Sequence, residues 1–262
     1  MICLTILSHS DYSYLWDIID DLLIEVINFK NICPIFVSNY TNLQKPKNFS
    51  KYIEYDEEKF YFTRLRDYIL PFIDCEYILL VHDVQLVTYC NIDYINKIVN
   101  IMKENCLDRC SLNLFKGNEH IINNDIILCN LKTAIGNNFI PYDVCPSIWN
   151  VKSLHKLVSQ FPYETYRGSE LNIDLINYCK NNFKIYGIQK KEDDEVYYCR
   201  GIPYSKNFKI LFITIQGDIL YPFEVYMSGL EQFNNIQNKY NIIERVKKIR
   251  NYKSVINNFK PL

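Results

Sequence analysis

Glycine is scarce in this chain, with seven in 262 residues. They are too scattered to spell GxGxxG or a P-loop, which excludes a dinucleotide-binding Rossmann site and a P-loop kinase. Neither GxSxG nor HExxH occurs, so nucleophile-elbow hydrolases and zincins are excluded as well. Ten cysteines are present, but singly placed, without a CxxC pair or a Cys/His cluster of zinc spacing. Cys106 and Cys110 are the nearest pair, and nothing beside them completes a site. The expectation is buried free thiols in a reducing compartment. No apolar run approaches the roughly 20 residues of a membrane span. The opening Met1-Ile2-Cys3-Leu4-Thr5-Ile6-Leu7 has no basic lead and no small-residue cleavage site, so it reads as a first strand and not a signal peptide. A cytoplasmic location is expected. The net charge is −1, which supplies no global field to draw nucleic acid.

The chain has 48% hydrophobic and 23% charged residues, the balance of an ordinary globular protein. It lacks a Pro/Gly/Ser linker, a repeat or a low-complexity block. Residues 1–7, 33–38, 52–55 and 77–81 read as strands. Residues 12–29, capped by Ser10 or Asp11, and 59–72, ending near Pro71, read as helices. This alternation predicts an α/β fold with a mostly parallel central sheet flanked by helices. Further on, 92–103, 152–160 and 169–179 read as helices, and 111–115, 125–131 and 210–215 as strands. One domain over 1–231 is expected, with a C-terminal helical extension over 232–262 packed upon it.

The densest signal is Glu76-Tyr77-Ile78-Leu79-Leu80-Val81-His82-Asp83-Val84-Gln85. Its uninterrupted apolar run predicts a strand buried on both faces. In open α/β sheets ligands sit beyond the carboxyl ends of strands, so Asp83 would project a charge into a ligand cleft. The plainer reading is an Asp that opens a turn.

The order strand, helix, strand, helix, apolar strand, Asp resembles the nucleotide-binding half of GT-A glycosyltransferases. Three passages carry the resemblance: Arg64-Leu65-Arg66-Asp67-Tyr68-Ile69-Leu70, standing where that family has an Arg-Leu helix; His82-Asp83-Val84, in place of its DXD motif; and Arg167-Gly168-Ser169-Glu170-Leu171-Asn172, in place of its GxED-like turn. Together they span roughly residues 1–190. The Asn/Ile/Lys-rich composition also resembles the glycosyltransferases of large DNA viruses, for which the location would be the host cytoplasm.

The resemblance implies a nucleotide-sugar donor, a glycan or glycoprotein acceptor, and a divalent cation, Mn2+ or Mg2+, held at Asp83 to neutralise the leaving diphosphate. Two departures bear on the metal. The second DXD acid is missing, and the late strand Phe212-Ile213-Thr214-Ile215-Gln216-Gly217 has no histidine. His82 would supply a nitrogen ligand or hydrogen-bond at the cleft wall.

The resemblance places the general base at Glu170, with Asp143 in reserve. Their plainer readings are a helix N-terminal carboxylate and a loop Asp satisfying backbone amides. The donor would meet Ser8, His9 and Asp11 after the first strand, Ser38 and Asn39 after the second, and Arg64, whose alternative is a solvent-facing helix charge. Trp149 would stack on an acceptor sugar or pack in the core. Glu192-Asp193-Asp194-Glu195 reads as a solvated loop, and the basic tail around Arg245 to Lys253 as a helix packed on the domain.

Two readings from other classes remain open at this point. One is a non-catalytic nucleotide-sugar or glycan-binding module on the same fold. The other is a metal-dependent phosphohydrolase built on His82-Asp83, although that pair normally lies on a helix with further histidines.

Overall fold

The apolar run ending at Asp83 becomes a central strand of a large mixed sheet, and its neighbours explain its composition. The computed structural model describes residues 2–26, 32–123, 125–134, 140–143, 145–192, 196–199, 202–216, 219–222 and 238–241. Strand β1 (Ile2–Leu7) leads through a 3-10 turn (Ser10–Leu15) into helix α1 (Trp16–Val26), then β2 (Ile32–Asn39) and β3 (Lys51–Tyr55). Helix α2 (Tyr61–Arg64) continues as a π segment (Leu65–Ile69) and a 3-10 turn (Leu70–Phe72) before β4 (Tyr77–His82). Pro71 has no N–H to continue the ladder, which fits the helix ending there. Next come β5 (Gln85–Cys90), α3 (Ile92–Glu104), β6 (Arg109–Phe115), β7 (His120–Asn123) and β8 (Ile126–Asn130). The chain goes on through β9 (Ser147–Asn150), α4 (Val151–Gln160), α5 (Gly168–Leu171), α6 (Ile173–Asn182) and β10 (Ile185–Gln189). Strands β11 (Val196–Cys199), β12 (Ile202–Ser205), β13 (Phe208–Gln216) and β14 (Ile219–Pro222) complete the described elements.

The sheet runs β3-β2-β1-β4-β9-β6-β10-β8-β7. Its first four strands are parallel, and β9 lies antiparallel between β4 and β6. The expected α/β class is thus what the chain adopts. One apolar core, holding Ile18, Leu22, Ile95 and Ile98, lies against α1 and α3; a second holds Phe62, Leu65, Leu154, Leu157 and Leu175 against the helices of the opposite face. All five residues Tyr77 to Val81 are buried, as a strand covered on both faces requires.

Parallel pairing puts the carboxyl ends of β1, β2, β3 and β4 on one edge of the sheet, with Leu7 opposite both Val37 and His82. The Ser8 N–H donates to the Val37 carbonyl at 2.8 Å and the Asp83 N–H to the Leu7 carbonyl at 2.9 Å. These bonds carry the ladder one residue past each strand.

Several expectations are corrected. The segment 12–29 begins as a 3-10 turn, and its cap is the His9 ring, whose Nδ1 accepts from the Asp11 N–H at 3.1 Å. Strand β5 follows Asp83-Val84 directly and pairs with β13. Strand β9 (Ser147–Asn150) lies in a stretch to which the sequence reading assigned no element. Cys3 and Cys75 form a disulfide, which corrects the expectation of free thiols for that pair, whereas Cys33, Cys90, Cys106, Cys110, Cys129, Cys145 and Cys179 are free. Trp149 is fully buried, so of its two readings it is packing in the core that holds. No described helix is long and apolar enough to cross a membrane. The domain boundary near 231, most of the acidic run and the basic tail lie outside the described residues.

Candidate functional site

At the strand-end edge lies a cleft of about 610 Å³, within the range of small-molecule sites. Asp83, only 5% exposed, stands on its floor. Its Oδ2 accepts from Ser8 Oγ at 2.7 Å and from the His9 N–H at 3.0 Å, and its Oδ1 accepts from the Val84 N–H at 2.9 Å. Ser8 Oγ in turn accepts from Trp16 Nε1 at 2.7 Å, and the Ser8 carbonyl accepts from Tyr55 OH at 2.8 Å. The chain Trp16, Ser8, Asp83 is polarised in one direction, and it clasps the loop after β1 to the end of β4. Burial pushes the Asp83 carboxyl up to about 6, against the downward pull of these hydrogen bonds.

Beside Asp83, the His82 ring forms part of the cleft wall. Its Nε2 lies 3.3 Å from Tyr61 OH, which lies 2.9 Å from Tyr142 OH. Tyr166 meets the His82 ring edge-on at 5.3 Å. Desolvation in this aromatic setting pushes His82 down to about 4. A histidine lowered from 6.5 stays neutral in the fold, so its contribution to stability is present above 6.5 and is lost as pH falls towards 4. Asp83, raised from 3.8, contributes in the opposite sense: its share is greatest below 3.8 and is lost as pH rises towards 6. The two partly cancel across one window, so removing His82 should expose the imbalance. His82→Gln should gain stability relative to wild type as pH drops from 7 to 4, by roughly 2–3 kcal/mol. Urea midpoints at several pH values measure this, and parallel pH profiles for the two proteins would contradict it.

The facing wall comes from α2 and the turn before α5. The Phe62 N–H donates to the Glu164 carbonyl at 3.3 Å and Thr63 Oγ1 to the Pro162 carbonyl at 2.5 Å, which pins the two segments together. Inside the turn, the Gly168 N–H donates to Thr165 Oγ1 at 2.9 Å and Asn172 Nδ2 to Glu164 Oε2 at 2.6 Å. A Cβ at position 168 would stand 2.0 Å from Glu164 Oε1, so any larger residue there would displace the Glu164 carboxylate.

The wall presents Lys59, Arg64 and Arg167 to the cleft. The Arg64 guanidinium lies 4.9 Å from the centre of the Tyr55 ring, and its Nε donates to the Lys59 carbonyl at 2.7 Å. Its Nη2 donates to the Glu57 carbonyl. Glu57 also lines the cleft, and its Oε2 accepts from His9 Nε2 at 3.0 Å and Asn39 Nδ2 at 2.7 Å.

The structure therefore brings Ser8, His9, Arg64, His82 and Asp83 together around one cleft. Asn39 lies behind it, its Oδ1 accepting from the Ser10 N–H at 2.8 Å. Ser38 is buried beside Asn39 and Asp11 is exposed on the neighbouring turn; neither is among the residues lining the cleft. Glu170 is half-buried in α5, one turn beyond the cleft-lining Tyr166 and Arg167.

Asp143 is engaged elsewhere. Its Oδ1 accepts from Arg109 Nη2 at 2.6 Å and from the Cys145 N–H at 3.1 Å. Arg109 is fully buried, with Nη1 donating to the Pro141 carbonyl at 2.8 Å. The sequence reading missed Arg109 altogether, together with the wall residues Tyr55, Tyr61 and Tyr166. An arginine in an otherwise apolar strand, Arg109-Cys110-Ser111-Leu112, was the one available signal for it.

The residues present do not fit a protein-held divalent cation. Asp83 accepts three hydrogen bonds from the protein, and no group of three or more His, Cys, Asp or Glu able to hold a metal occurs among the described residues. A hard divalent ion seeks free carboxylate oxygens as ligands, and those of Asp83 are engaged by the protein.

No protein-family model and no curated protein matches the chain. Among solved structures, it is similar to residues 1–349 of TarS from S. aureus in complex with UDP-GlcNAc, 10% identical over 76% of this chain and 62% of that one, TM-score 0.47. It is similar to the Francisella tularensis 2-C-methyl-D-erythritol 4-phosphate cytidylyltransferase IspD, 12% identical over 73% of this chain and 92% of that one, TM-score 0.44. An active-site mutant of LgtC is 8% identical over 71% of this chain and 72% of that one, TM-score 0.42. The chain spans about three-fifths of the TarS fragment's length.

Proposed function

We propose that the chain is a nucleotide-sugar-dependent glycosyltransferase, moving a sugar from a nucleoside diphosphate to a hydroxyl of a glycan or glycoprotein with inversion. The observation that carries this reading is the clasp of Asp83 to Ser8 and His9 on the floor of a cleft whose facing wall presents Lys59, Arg64 and Arg167. A site with an aromatic flank, polar strand ends and cations on one wall suits a ligand that is part ring and part phosphate.

In the reaction, the acceptor oxygen attacks the anomeric carbon as the bond from that carbon to the diphosphate oxygen breaks. The diphosphate leaves with the electron pair, and the acceptor proton passes to a carboxylate. Glu170 is that base in this reading, since it stands one turn beyond the cleft wall and carries the acid of the GxED-like turn. Asp143 is assigned to Arg109 and to the fold. Asp83 holds the floor at the diphosphate end.

The test is a thermal-shift panel of UDP-, GDP-, CMP- and dTDP-sugars. A donor at about 100 times its Kd should stabilise the native state by about 2.7 kcal/mol, a rise in Tm of several degrees for a chain of this size. Absence of a shift with every one of these donors would contradict the proposal.

A further inference from the structure

We infer that this cleft neutralises a nucleoside diphosphate with the side chains of Arg64 and Arg167 in place of a divalent cation. The inference rests on the transferase reading above and departs from what the family resemblance implies about metal. Three observations support it, and each is geometric.

The first is the state of the acid. A carboxylate serving as a cation ligand needs outward-facing oxygens and companion ligands. Asp83 instead turns both oxygens to the protein, to Ser8, His9 and Val84. Its neighbour His82 faces Tyr61 and Tyr166. Glu57, which also lines the cleft, is tied to His9 and Asn39. None of the three is arranged as a ligand set.

The second is the placement of positive charge. Lys59, Arg64 and Arg167 line the same cleft as Asp83, Glu57 and Glu58, from two segments pinned to one another by the Phe62–Glu164 and Thr63–Pro162 bonds. The Lys59 ammonium also lies 3.8 Å from Asp56 Oδ2, which leaves the two arginines as the cations the inference rests on. Charge on a fixed wall needs little reorganisation when a leaving group develops its own charge, which is how pre-set cations stabilise such steps.

The third is the preparation of Arg64. Two of its N–H groups are fixed on the Lys59 and Glu57 carbonyls and its plane lies near the Tyr55 ring. That arrangement orients the guanidinium while leaving further N–H donors for a paired phosphate contact. A lysine could not copy that planar fork.

During transfer the bond between the anomeric carbon and the diphosphate oxygen breaks, and the electron pair stays on that oxygen. The two arginines balance the charge gained there, while the acceptor proton goes to the base already named. No oxidant, reductant or metal enters the balance.

The experiment is a calorimetric titration of the full chain with UDP, GDP, CDP and dTDP, each in EDTA and each in MnCl2. Wild type, Arg167→Gln and Arg64→Gln are compared, and the parent nucleoside serves as a phosphate-free control. The expected result is at least one diphosphate whose Kd in EDTA stays within twofold of its Kd with manganese. Arg167→Gln and Arg64→Gln should each weaken that diphosphate tenfold or more and leave the nucleoside within twofold. If Arg64→Gln shows a lowered unfolding midpoint, the exposed Arg167 decides the outcome alone. A tenfold loss of wild-type affinity in EDTA, or wild-type affinity in the arginine variants, would overturn the inference while leaving the transferase reading intact. Failure of all four diphosphates to bind wild type in either buffer would sink that reading, and this inference with it.

Discussion

Replacing Asp143 with alanine should destabilise the fold by about 3–5 kcal/mol, the cost of leaving a buried charge without its partner. Arg109 is fully buried, its Nη2 lies 2.6 Å from Asp143 Oδ1, and among the described residues no other carboxylate is paired with it. Its remaining bonds go to carbonyls of residues 140 and 141, which carry only partial charge. For a chain of this length the loss corresponds to a fall in Tm of roughly 10 °C. The double variant Arg109→Met, Asp143→Ala should recover part of the loss, since a methionine can fill the site beside Trp149 without needing a counter-charge. Urea unfolding of wild type, Asp143→Ala, Arg109→Met and the double variant gives the coupling energy directly. A single-variant loss under about 1 kcal/mol would contradict the structural role given to Asp143 and return it to consideration as a base.

How much of this was legible in the sequence depends on the range of the interaction. The buried strand at 77–81 was readable because a strand covered on both faces must be apolar throughout, and the alternation of strands with helices defined the α/β class. Strand β5 was not readable. It begins after a two-residue turn with no glycine or asparagine, and its partner β13 lies more than a hundred residues away. Strand β9 has four residues and resembles a loop until β4 and β6 are placed on either side of it.

At the site, Asp83 itself stood out as the charge closing an apolar run. Its engagement with Ser8 and His9 spans 75 and 74 residues, so no local pattern contains it. The same holds for Arg109 and Asp143, 34 residues apart in sequence. The cleft's positive wall was half visible. Arg64 was singled out by the Arg-Leu pattern it begins, whereas Arg167 was seen only as the residue ahead of Gly168.

The second large effect concerns the chemistry. Glu170→Gln keeps the size and hydrogen-bonding capacity of the side chain but cannot take a proton, so transfer should fall by about 10²–10⁴-fold, the usual contribution of a general base. Donor affinity should stay within twofold, because Glu170 stands beyond the residues that line the cleft. Asp83→Ala acts at a different step. It leaves Ser8 Oγ and the His9 and Val84 N–H groups without their acceptor, which releases the loop after β1 from the end of β4. Donor binding and transfer should be lost together.

The most direct measurement of the central claim therefore pairs donor affinity with sugar transfer in the same three proteins, using the donor found by thermal shift. The expected pattern is binding and transfer in wild type, binding without transfer in Glu170→Gln, and neither in Asp83→Ala. Full binding and full transfer in both variants would contradict the account.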